Sequence, residues 1–143
     1  MKKMKTHIFS VAILGLLSLV MAIPTLAASN NYSFTMEYRV VNGATHGKFF
    51  TLKAGKAKIS GKQWQFKADP YAVGPNNVHY ELKNKTTGNS FGQVVSKPYA
   101  ENEKDKKVSG TYSGLGGGNR YYLMIWKVED DGRDIKGNGS VYN

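Results

Sequence analysis

The chain has 143 residues, 20 basic and 10 acidic side chains, a formal net charge of +10 and no cysteine. Without thiols there is no disulfide staple, no thiolate nucleophile and no thiolate metal site, so folding rests on apolar burial. The positive balance points to anionic partners.

The N-terminus carries an address. Lys2, Lys3 and Lys5 precede an apolar run from Ile8 to Ile23, broken only by Ser10, Gly15 and Ser18. Pro24 ends any helix, and Thr25-Leu26-Ala27 offers small residues where a signal peptidase reads. The run is shorter than the roughly 20 residues a spanning helix needs. We expect a cleaved secretory signal over 1–27 and an exported domain over 28–143. Removing the three leader lysines lowers the net charge from +10 to +7. Cysteine-free export fits a Gram-positive bacterium, with the product released or loosely held at the cell wall.

Residues 28–143 read as strands throughout. From Tyr32 to Val40, Tyr32, Phe34, Met36, Tyr38 and Val40 alternate with polar residues, the pattern of a half-buried strand. Asn42-Gly43 is a turn signal. Lys48 to Leu52 follows as a short strand. Ala57 and Ile59 then alternate with Lys56 and Lys58, and Ser60-Gly61-Lys62 is expected to turn the chain. Gln63 to Ala68 places Trp64, Phe66 and Ala68 on one face, opposite Gln63, Gln65 and Lys67.

Pro70, Gly74 and Pro75 bracket a loop. Val78, Tyr80 and Leu82 mark the next strand, and Thr87-Gly88-Asn89 turns into Ser90 to Ser96. Lys97 to Lys107 is a polar loop, Val108 to Tyr112 a short strand, and Gly114 to Asn119 a flexible connector. Tyr121 to Val128 is apolar on both faces, as for a central strand covered by the Asp69–Asn77 loop, or else one that exposes an aromatic row. Asp131-Gly132 turns into a last strand over Ile135 to Tyr142. About eight or nine short strands separated by turn signals predict an all-β, single-domain antiparallel β-sandwich, with a small β-barrel as the alternative.

Four features carry candidate chemistry. Between Glu37 and Asp69 there is no acid, while Arg39, Lys48, Lys53, Lys56, Lys58, Lys62 and Lys67 are all basic. Lys53, Lys56, Lys58, Lys62 and Lys67 are the candidate polyanion-binding residues, by counterion release and steering. The same lysines also read as edge protection against strand-to-strand aggregation. Trp64, Tyr71 and Tyr99 are a candidate aromatic platform for a glycan, or anchors over the core.

Glu129 to Asp134 is acidic around a glycine, but its spacing departs from a calcium loop and Arg133 interrupts it. We therefore expect no metal and no cofactor. Catalytic signals are weak: His46 and His79 lack metal spacing, no serine sits in a nucleophile elbow, and Glu37 and Glu81 have no stated proximity.

These features predict a small secreted, non-catalytic binding protein that docks on an anionic wall polymer or membrane surface. The alternatives are a secreted antimicrobial toxin or an inhibitor of an extracellular enzyme, and a glycan-binding module, with another secreted protein as the alternative partner.

Overall fold

The computed structural model describes residues 30–143, and the expected signal over 1–27 lies outside them. Seven strands follow in chain order: β1 (Asn31–Met36), β2 (Val40–Asn42), β3 (Phe50–Ala68), β4 (Val78–Asn84), β5 (Ser90–Ser96), β6 (Lys106–Trp126) and β7 (Arg133–Tyr142). All strand pairings are antiparallel, in the order β1-β7-β3-β6-β4-β5, with β2 alongside the C-terminal end of β6. The sheet folds over on itself as an all-β sandwich. Tyr32 and Phe34 of β1 meet Tyr80 of β4 across the core, with ring centroids 6.3 and 5.9 Å apart.

Alternation places the core. Phe50 and Leu52 of β3, Val78, Tyr80 and Leu82 of β4, and Ile135 and Val141 of β7 point inward and are buried. Burying such side chains supplies roughly 1.5–3 kcal/mol apiece, the main stabilisation open to a chain without disulfides. Among the described residues there is no helix, and so none long and apolar enough to cross a membrane.

The strand count is seven: the first expected strand splits into β1 and β2, the stretches from Lys48 and around Ala57 join in β3, and two predicted breaks lie inside strands. The first is Ser60-Gly61-Lys62. Gly61 pairs with Gly139 of β7 on one side and Val108 of β6 on the other, so β3 runs straight through. The glycine marks a close approach: a Cβ there would lie 2.2 Å from the Asn138 carbonyl oxygen of β7. The second is the glycine run after Tyr112. Gly114, Gly117 and Gly118 adopt φ of 78°, 82° and 123°, conformations glycine adopts at little steric cost. They let β6 accommodate the register shifts opposite Phe50/Leu52 and Gly55/Ala57.

The first strand is also shorter than its alternation implies. It stops at Met36, and after a bend the chain changes partner from β7 to β6. Tyr38 and Val40 are 72% and 58% exposed instead of buried. The strand expected from Lys48 begins at Phe50. The strands at 78–84 and 90–96 and the polar loop before Lys106 lie where expected.

Along β3, Ala57 and Ile59 face inward and set the phase, so Gln63 and Gln65 are buried while Trp64 and Phe66 face outward. The glutamines are satisfied there. Gln63 Nε2 donates to the Ser96 carbonyl at 2.9 Å, and its Oε1 accepts from Tyr80 Oη at 2.7 Å. Gln65 bonds to Ala100, Asn102 and Arg133.

Candidate functional site

The outward face of the β1-β7-β3-β6 layer forms cross-strand rows. Register aligns Asn31, Ser140, Ser60 and Ser109 in one row, and Ser33, Asn138, Lys62 and Lys107 in the next. Thr35, Lys136 and Trp64 make a third on one side, and Tyr142, Lys58 and Thr111 a fourth on the other. Neighbours across strands lie about 4.8 Å apart and successive rows about 7 Å apart. Lysines, hydroxyls and amides thus share these four rows; the carboxylates beside them are Asp134, opposite Lys67 in the next register pair, and Asp105, which reaches Lys62.

The five predicted lysines all lie on β3 and are all exposed, but they are not equivalent. Lys62 Nζ pairs with Asp105 at 2.6 Å, and Lys67 approaches Asp134 at 3.9 Å near the far end of the strand. Lys67 lies past the β3 bulge that follows Gln65, opposite Asp134 and at the far end of the strand from Lys56 and Lys58. Lys56 and Lys58 flank a shallow depression with Thr111, Tyr142 and Asn143, and neither has a carboxylate within ion-pair distance among the described residues. Lys53 lies at the start of the strand, where the Asn143 amide bonds both its N–H and its carbonyl at 2.9 Å.

The sequence reading missed Lys107 and Lys136. They lie on β6 and β7, distant in sequence, and only strand register brings them beside Lys62 and Trp64. Lys136 Nζ sits 4.2 Å from the Phe66 ring centroid, so its ammonium lies over an outward aromatic.

The aromatic platform does not assemble. Trp64 lies on the outer face of β3 with Lys62 Nζ 5.4 Å from its ring. Tyr71 is 94% exposed in the loop after β3. Tyr99, in the loop before β6, is approached by Lys104 and Lys106 at 4.6 and 5.0 Å. No ring contact joins the three. The physical reason is placement on three separate segments of the chain, two of them loops.

The strand apolar on both faces is central, flanked by β2 and β4. Tyr121, Leu123 and Ile125 enter the core. Of the outer residues, Tyr122 and Trp126 meet side chains of neighbouring segments and Val128, past the end of the strand, is 57% exposed; the 69–77 loop bonds to Asp131 and Gly132 instead. Phe49 packs edge-on against Tyr122, and His79 stacks on Trp126 at 4.0 Å and 7°. His79 Nδ1 also lies 3.0 Å from Gln93 Oε1.

The acidic run resolves into a structural contact. Asp131 is buried and bonded to Lys127 Nζ, Asn76 N and Arg133 N. Glu37 lies close enough to Asp134 to act on its carboxyl. Burial is the largest cause pushing the Asp134 carboxyl pKa up; Asp69 and Glu37 add to it and Lys67 opposes it.

A scan against protein-family models finds no match for this chain, and a search of curated proteins finds none. Among solved structures the chain is similar to CsCBM6-3 from Clostridium stercorarium, solved in complex with cellobiose. The two share 12% sequence identity and a TM-score of 0.41, over 80% of this chain and 70% of that one.

Proposed function

We propose that this is a non-catalytic binding protein of the cell exterior that lays the outer face of β1, β7, β3 and β6 on a linear anionic wall polymer. The observation that carries this reading is the row pattern. Lys58, Lys107 and Lys136 stand among Ser, Thr and Asn in these rows without an ion-pair partner among the described residues, and Lys62 beside them is paired with Asp105. The ammonium groups attract closely spaced anions, and the short hydroxyl and amide side chains supply hydrogen bonds to a polymer backbone.

Binding to purified Gram-positive cell walls, with and without their teichoic acids, tests the proposal. Retention should fall steeply between low and physiological salt and require the teichoic acid. Salt-insensitive retention overturns it, as does retention that survives the triple charge reversal Lys58→Glu, Lys107→Glu and Lys136→Glu. Leakage of anionic vesicles would instead favour a membrane-directed antagonist.

A second reading rests on Trp126. Its ring, stacked on His79, borders a depression lined by Glu81, Ser90, Gly92 and Gln93. An aromatic ring beside hydrogen-bonding side chains is the composition of a neutral sugar subsite. Loss of oligosaccharide binding in Trp126→Ala, without salt dependence, is the result that reading requires.

A further inference from the structure

The sandwich is open along one side. β1 has β7 as its one ladder partner, and β2 has β6. β2 is only three residues long because the chain leaves β6 at Gly43. Gly43 N donates to the Leu123 carbonyl at 2.9 Å, and Lys48 N closes the turn onto the Gly43 carbonyl at 2.8 Å. Between β1 and β2, core side chains that are each no more than 8% exposed form the inner wall of a cleft.

The opening is a cleft of about 340 Å³, within the range that holds small ligands. Phe34, Phe50, Leu123 and Ile125 line its interior, and Val41 lines the β2 side. The polar groups differ in kind. His46 and Lys48 are the titratable side chains of the lining besides Tyr32, no acid is among them, and both are exposed. Neither has a carboxylate within ion-pair distance among the described residues.

We propose that this cleft, which meets the edge of the rows at Ser33 and Thr35 but includes none of their lysines, is a second ligand site and takes one aliphatic chain ending in a carboxylate. The alkyl chain replaces water against the apolar walls. The carboxylate stays near solvent at Lys48 and His46, where an ammonium and an imidazole N–H donate to it. A neutral chain gains only the first of these contributions. A membrane lipid would have to leave its bilayer to enter, so the occupant is a free fatty acid.

Titration calorimetry of the purified, delipidated protein with laurate tests this, beside dodecanol and phosphatidylglycerol vesicles. Laurate should bind one to one, with methyl shifts at Val41, Leu123 and Ile125 by NMR. Lys48→Glu should weaken laurate about tenfold and leave dodecanol unchanged. Val41→Trp, checked for folding by circular dichroism, should weaken both.

The triple reversal of Lys58, Lys107 and Lys136 should leave laurate binding intact, so this site and the polymer face fail separately. The proposal is overturned if laurate does not bind or if its shifts centre on the lysine rows. It is also overturned if Lys48→Glu binds laurate normally, or if only vesicles bind.

Discussion

Lys127 Nζ donates to Asp131 Oδ1 at 2.6 Å with both side chains fully buried, across the turn that joins β6 to β7. The ammonium also donates to the Arg133 carbonyl at 2.8 Å, and Asp131 Oδ2 accepts from Asn76 N at 2.8 Å. One ion pair thus ties the β6–β7 turn to the loop before β4. Removing one partner strands a buried charge, at a cost of about 3–5 kcal/mol. Lys127→Met should therefore be strongly destabilising in urea unfolding. The double variant Lys127→Met with Asp131→Asn should recover part of the loss, because no full charge is left unpaired. Additive single effects would show that the two groups are not coupled.

Two core tyrosines should respond differently to the same substitution. Tyr80 Oη donates to Gln63 Oε1 at 2.7 Å. Tyr32 Oη is buried without a partner, close to where Gly61 and Gly139 lack side chains. Tyr80→Phe leaves a buried acceptor of Gln63 unpaired and should lose about 1–3 kcal/mol. Tyr32→Phe removes an unsatisfied hydroxyl and should be neutral or stabilising by about 1 kcal/mol. Urea midpoints of the two variants, at an unchanged m-value, decide the matter. A loss in Tyr32→Phe comparable to that in Tyr80→Phe would mean that its hydroxyl has a partner in solution.

High pH should unfold the protein cooperatively. Burial pushes the hydroxyl pKa values of Tyr32, Tyr80 and Tyr112 well up, and the neighbouring tyrosines add to the effect at Tyr80 and Tyr112. Above the ordinary tyrosine value, near pH 10, the unfolded chain releases protons that the native state keeps. Stability then falls as pH rises, by up to about 1.4 kcal/mol per pH unit for each group, or about 4 for the three. Below that window all three are protonated in both states and contribute no slope. Urea unfolding from pH 9 to about 11.5 measures the slope, and Tyr112→Phe should lower it by one proton. A flat profile would show that these hydroxyls ionise in the folded protein.

Local alternation made the strand character legible, along with the inward Ala57 and Ile59 and the outward Lys56 and Lys58. It did not reveal which side of Trp64 and Phe66 faces the core. That phase follows from Ala57 and Ile59 upstream and from the partners of Gln63 and Gln65 on other strands. Gly61 and Gly114 to Gly118 carried the composition of turns. Their role comes from close backbone approach and register shifts, which depend on β6 and β7. The candidate face was half visible for the same reason. The β3 lysines stand in one run, whereas Lys107 and Lys136 join them through ladders between distant segments.

That difference among lysines gives the last prediction. Lys107 and Lys136 stand in the rows without an ion-pair partner among the described residues, and Lys67 lies beside Asp134. If the rows are the docking face, each free cation that meets the polymer releases condensed counterions. It should add about 0.7–0.9 to the slope of log affinity against log salt, the value for nucleic acid backbones. Lys107→Gln and Lys136→Gln should each lower the slope by roughly that amount on teichoic-acid-bearing walls. Lys67→Gln should leave it nearly unchanged, since its charge is already offset by Asp134 and lies outside the rows. Equal effects of all three substitutions would mean that total charge steers the protein to the wall and that the rows have no special part.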